Sequence, residues 1–224
     1  MGGIFRQDSK FTIVLNRIVD VVVLNMVFLL TCIPVITIGA SLTSMYGVTL
    51  KWVNHEEPYV VRTYFKIWKE SFVQSTICWM LEALVFMVIV MDVRVSAFVT
   101  GGFQLLLFVV TGLLGIIWLM SVMFVFPVIA KFQLPVKNIL INSVCMPLSN
   151  LMSAITVIGI SILPVIIAVS SSRIFYLWVY LIIMGWFAAI AYGASFFINR
   201  IFKMFIDSEE IEKKENISNE NWID

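Results

Sequence analysis

Glu82 is the residue whose type and position most invite chemistry, because it is the one ionisable side chain well inside an apolar stretch, Val73 to Met91. With that stretch entered near Ser75, a helix places Glu82 about 10 Å deep at about 1.5 Å per residue. An acid exposed to lipid there costs at least a few kcal/mol, which makes it a functional-site hypothesis by default. Its helical neighbours Cys78, Trp79, Val85 and Phe86 cannot pair a charge. Three readings stand. Glu82 is a proton- or solute-coupling group, an acid kept neutral or bonded by another helix (Asn25, Thr43 or Ser44), or an acid left near water by a shifted helix boundary.

The rest of the chemical inventory is sparse. The single histidine, His55, stands in the polar turn Asn54-His55-Glu56-Glu57-Pro58 without partners at metal-ligand spacing, so it is read as solvated and no metal or cofactor is expected. Cys32, Cys78 and Cys145 lie in or beside apolar segments without CxxC spacing and are read as buried, unpaired thiols acting as small apolar groups. No HExxH, G-x-S-x-G or P-loop pattern occurs. Lacking a nucleophile–base constellation, the chain is not expected to be an enzyme, and nothing in it suggests nucleic acid as a partner.

The elements that would position these residues are membrane helices. The chain is 61% hydrophobic and 13% charged, against roughly 45–50% and about 25% in soluble domains, so it cannot hide its apolar surface from water by folding on itself. The lipid bilayer must be its solvent. Several of the seven tryptophans fall near predicted helix ends, as interfacial anchors do. The fold class is all-α, a polytopic transmembrane bundle in one domain, residues 1–206. Its five clear spans are 18–33, 73–91, 103–126, 148–169 and 174–198, with a returning or re-entrant half-helix at 37–50. A basic amphipathic helix at about 59–72 lies in the interface or runs on into the next span. A short helix at 139–146 ends at Pro147, and Asn138, Asn142, Ser149 and Asn150 nearby cap helices or contact a partner. Residues 207–224 carry seven acids and two lysines, almost without apolar periodicity, and are read as a disordered acidic tail. The apolar run starts only after 17 mixed-charge residues, so no cleaved signal peptide is expected.

Pro34 interrupts the first apolar stretch, Arg17 to Trp52, and favours an end or kink before it. Beyond it Gly39, Thr43 and Gly47 recur every four residues, a spacing that lets another helix approach closely in lipid. Gly185, Ala189 and Gly193 repeat the pattern. Both stripes are read as packing faces; the alternative for the first is a polar path lined by Asn25, Thr37, Ser41, Thr43, Ser44 and Glu82. In the segment 59–72, Val61, Tyr64, Phe65, Trp68 and Phe72 form one face, and Arg62, Lys66 and Lys69 another that suits anionic lipid headgroups.

Cytoplasmic connections collect Lys and Arg. If 18–33 and 37–50 form a hairpin, 13 basic residues share one side and only Arg94 and Arg173 face the other; a single crossing lowers the split to 10 against 5. The hairpin therefore predicts six helical passes, a plasma-membrane location and both termini in the cytoplasm.

The stretch CIPVITIGASLTSMYGVTLKWVNHEEPYVVRTYFKIWKESFVQSTICWM resembles the signature region of the YesL-like proteins, domain-of-unknown-function family 624. The likeness rests on the Pro-containing first helix, T-I-G-A-S before a Tyr, the acidic turn with Pro58-Tyr59 and the Phe- and Lys-rich segment. A second stretch, FPVIAKFQLPVKNILINSVCMPLSNL, adds Phe126-Pro127, Lys131-Phe132, Lys137-Asn138 and Asn150, so the likeness covers about 5–200. The resemblance implies a small multi-spanning membrane protein, mostly of Gram-positive bacteria, encoded near carbohydrate importers and polysaccharide-degrading enzymes. It implies a role accessory to, or regulatory of, carbohydrate uptake, with sugar importer subunits as partners; the alternative is a small solute carrier or channel with a polar path near Glu82. No catalytic residue carries over.

Overall fold

The computed structural model describes residues 10–96, 98, 101–132, 134–169, 180, 182 and 184–220. Helix α1 (Lys10–Thr31) stops three residues before Pro34, because a proline disfavours helical backbone in the residue before it. Pro34 then opens a 3-10 turn, Val35–Thr37. The Thr37 hydroxyl donates to the carbonyls of Thr31 and Pro34, at 2.5 and 2.7 Å, and closes the bend. Helix α2 (Ile38–Val53) runs back beside α1. Ser41 meets Thr31 at one end of the pair, and the Arg17 guanidinium lies 5.0 Å from the centre of the Trp52 ring at the other. The hairpin forms with Pro34 exposed at its tip.

At 16 residues, about 24 Å, α2 is too short for the roughly 30 Å hydrocarbon core. It is instead enclosed by protein: Gly39 to Leu50 are buried except Leu42, and Trp52 is buried as well. The core is assembled around it, with Leu24 and Phe28 of α1, and with Tyr64, Phe124, Ile139, Ile198 and Phe202 from later helices. α2 ends on a left-handed residue, His55 at φ 62°. The N–H of His55 donates to Trp52 and that of Glu56 to Lys51, the paired bonds that close many helix C-termini, here without the usual glycine.

Helix α3 (Val60–Ser96) joins the segments 59–72 and 73–91 into one helix of 37 residues. Its length of about 55 Å exceeds the membrane core. The residues it buries are only partly those of the apolar face of 59–72. Val60, Tyr64, Ser71, Ser75, Cys78 and Glu82 are buried, while Val61 and Phe65 are 45% and 40% exposed. Small and hydroxyl-bearing residues fit against α2, so the buried stripe is not the most apolar one.

Gly101, at φ 92°, turns the chain into α4 (Gly102–Lys131), which returns along α3 with Phe86 and Trp118 stacked at 5.1 Å. α4 passes through Pro127, where the sequence suggests an end; membrane helices absorb such a proline because neighbouring helices re-satisfy the freed backbone groups. Helix α5 (Val136–Ser149) is longer than 139–146 and holds Pro147 in its last turn. A bend of 107° leads to α6 (Leu151–Val169), where Asn150 accepts the Ser153 N–H at 3.3 Å as a helix cap. The turn at 170–173 and the start of the span expected at 174–198 lie outside the described residues.

Gly185, at φ 138°, precedes α7 (Trp186–Glu220). α7 runs on through 207–220, the segment expected to be disordered. Extending an existing helix avoids the cost of nucleation, and the spacing of Glu209 to Lys213 and Glu210 to Lys214 suits helix. Its buried face is Ala188, Ala191, Ser195 and Ile198; Ala189 is exposed, and nothing approaches Gly193. Of the Gly185–Ala189–Gly193 stripe, only Gly185 is packed, against Val21 and Val22 of α1.

The described residues contain helices and no strand. Four helices are long and apolar enough to cross a membrane, five if the bent α5–α6 pair counts as one span. The chain is a multi-pass membrane protein; α2, at 16 residues, is not among these candidate spans, although it brings the chain back to the end at which α1 begins.

Candidate functional site

The polar residues expected to line a path are engaged in separate contacts. A Cβ on Gly39 would stand 2.5 Å from the carbonyl oxygen of Ser75, and one on Gly47 would stand 2.6 Å from Cδ1 of Ile67. Between these glycines, Thr43 Oγ1 lies 2.8 Å from Ser75 Oγ. The stripe is the seam between α2 and α3. Ser44 donates to its own helix at Ala40, and Thr37 closes the bend. Ser41 donates to Thr31 Oγ1 at 2.9 Å, and that oxygen also lies 2.6 Å from the Tyr64 hydroxyl. Asn25 latches the broken last helix. Its amide donates to the Ile182 carbonyl at 2.8 Å, and its Oδ1 accepts the Ala188 N–H at 3.3 Å, on either side of Gly185.

Glu82 is 5% exposed and belongs to the buried stripe on α3, one helical turn beyond Cys78. Its partner is not on α1 or α2. Ser121 of α4 donates to Glu82 Oε1 at 2.5 Å and lies 3.1 Å from Ser143 of α5. The indole of Trp118 donates to the Glu82 carbonyl at 3.0 Å. Asn25, Thr43 and Ser44 are committed elsewhere, so the carboxyl finds its donor on the helix that α3 meets next. Farther along the same pair, Thr111 donates to Asp92, a second acid–hydroxyl contact.

The charged end is open. A cleft of about 1140 Å³ lies between the start of α1 and the start of α3. Arg62, Lys66 and Lys69 stand on its α3 wall, and Arg17, Asp20, Trp52 and Glu57 join them. Arg17 and Asp20 are one helical turn apart at the head of an apolar helix, the one sequence signal that could have pointed to them. Trp52 gave none, because an interfacial anchor and a cleft floor look alike in sequence.

Among the described residues no cluster of three or more His, Cys, Asp or Glu side chains could hold a metal ion. His55 is exposed. Cys78 is buried and Cys32 half-buried, whereas Cys145 is exposed, so the apolar-interior reading fails for that third thiol.

No curated protein and no solved structure matches the chain. Residues 21–93 do match a family, and they span the α1–α2 hairpin, the charged turn and most of α3. The match stops before 126–151, the second stretch on which the resemblance rests. Over the segment that builds the buried seam and the α3 wall of the cleft, the chain matches the family described as protein of unknown function, DUF624.

Proposed function

We propose that the protein is a non-enzymatic membrane protein that assists or regulates a bacterial carbohydrate uptake system, acting from its charged end. The observation that carries this reading is the contrast between the interior and that end. Asn25, Thr37, Ser41, Thr43, Ser44 and Glu82 are tied into local contacts, while Arg62, Lys66 and Lys69 are exposed around an open cleft. A carrier needs a continuous polar lining, and the same residues would have to provide it. The carbohydrate link and the bacterial plasma membrane rest on the YesL-like resemblance, and the cytoplasmic termini rest on the distribution of basic residues.

The test is co-purification of the tagged full chain from native membranes. Importer subunits are expected to be enriched, and less so when Arg62, Lys66 and Lys69 are changed to Gln. Absence of importer subunits, together with unchanged sugar uptake after deletion of the gene, would sink the reading. Sugar flux through liposomes holding the purified protein alone would favour a carrier instead.

A further inference from the structure

We propose that the cleft between α1 and α3 is a binding site for one anionic phospholipid. The phosphate sits among Arg17, Arg62, Lys66 and Lys69, and the headgroup hydroxyls face Asp20 and Glu57. Four cations against two acids give the lining a net charge of +2. Among the described residues the one ion pair is Lys51 with Glu56 at 3.5 Å, so no described carboxylate forms a close ion pair with a cleft cation, and the two acids of the lining offset only part of its positive charge. The N-terminus of α3 opens into the same space. The Tyr59 carbonyl takes the Thr63 N–H at 2.9 Å, and no described side chain caps the three N–H groups before it. Such a helix end carries partial positive charge and suits a phosphate.

A second observation points to a missing partner. Trp52 lines the cleft and is 2% exposed, yet its indole N–H has no acceptor. A buried donor without a partner costs about 1–3 kcal/mol, and a headgroup oxygen in the cleft, reached by a small shift of the ring, would satisfy it.

The remaining wall selects a lipid over a soluble phosphate. Val19, Val23, Val61 and Phe65 alternate with the cations, and Val19, Val61 and Phe65 are exposed. A free phosphate would leave them in water, whereas acyl chains lying between α1 and α3 would cover them. The volume, about 1140 Å³, exceeds the roughly 300–1,000 Å³ of small-ligand pockets and leaves room for a headgroup together with part of its chains.

This site goes beyond the accessory role and can be measured on the isolated protein. Full-length protein in detergent is titrated with phosphatidylglycerol or phosphatidylcholine, and bound lipid is counted by native mass spectrometry. One phosphatidylglycerol per chain is expected, at about tenfold preference over phosphatidylcholine, which lacks both net charge and hydroxyls. The Arg17→Gln/Arg62→Gln variant is expected to bind it about thirtyfold more weakly. Lys131→Gln/Lys137→Gln, outside the cleft, is expected to bind as the natural chain does. Equal retention of the two lipids, unchanged binding by the cleft variant, or equal loss in both variants would overturn the site. Displacement by equimolar glycerol 3-phosphate would overturn the lipid assignment in favour of a soluble phosphate. If circular dichroism shows the cleft variant unfolded, Lys66→Gln/Lys69→Gln replaces it with the same expectations. Lost lipid preference with importer subunits still co-purifying sinks this site alone; the reverse sinks the accessory role alone.

Discussion

α2 and the outer half of the α3–α4 hairpin are both largely apolar runs with few charges, yet they face different solvents. α2 carries Gly, Ala, Ser and Thr and is enclosed by other helices. Beyond Glu82, Leu84, Phe86, Met87, Leu105, Leu106 and Leu113 are exposed on the protein surface. Hydropathy says only that a segment leaves water. Side-chain size and hydroxyl content say whether protein or lipid receives it, because close helix contact in a membrane comes from small residues and interhelical hydrogen bonds. Glu82 stands where one regime gives way to the other.

The largest test of that contrast is one substitution made in each region. Gly39→Leu forces a side chain into the Ser75 backbone and is expected to destabilise the protein by about 3 kcal/mol or more. Gly112→Leu on α4 meets open space and is expected to stay within about 0.5 kcal/mol. Unfolding in detergent reads both. Equal effects would mean that α2 is not held against α3.

Next in size is Asn25→Leu. It leaves the Ile182 carbonyl and the Ala188 N–H without this partner and is expected to cost about 1–3 kcal/mol. Faster hydrogen exchange at the start of α7 would localise the loss. A change confined to α1 would show that the break at Gly185 holds without Asn25.

The contrast also sorts what the sequence made legible. Helical class, the hairpin at Pro34 and the Gly39–Thr43–Gly47 seam were readable, because proline geometry and small-residue spacing act locally. The partner of Glu82 was not, since Ser121 is one of many serines and only the packing of α4 selects it. The buried face of α3 was not legible for a related reason: in lipid the most apolar face need not turn inward. The cleft was half legible. Arg62, Lys66 and Lys69 mark an amphipathic helix, but only the return of α1 beside α3 brings Arg17 and Asp20 opposite them.

Glu82→Gln is a smaller test. The amide oxygen still accepts from Ser121, so stability is expected to change by about 1 kcal/mol or less. Growth and sugar uptake are expected to be unchanged if Glu82 is a structural contact. Loss of uptake in a normally folded variant would break the contrast between a sealed interior and a working charged end.

The smallest expected effect concerns the two turns that close these regions. The α3–α4 turn places glycine at positive φ, Gly101 at 92°, whereas α2 exits through His55 at 62°. Left-handed backbone costs a residue with a Cβ roughly 1–2 kcal/mol, and glycine recovers part of that while losing more freedom on folding. His55→Gly is therefore expected to stabilise the protein by about 0.5 kcal/mol, seen as a slightly higher unfolding midpoint. The imidazole is exposed and follows α2 at the charged end, so the same variant separates backbone from side chain. A gain in stability with undiminished co-purification would make His55 a cap alone. A gain in stability with lost co-purification would make the imidazole part of the charged surface and extend the working end beyond the cleft.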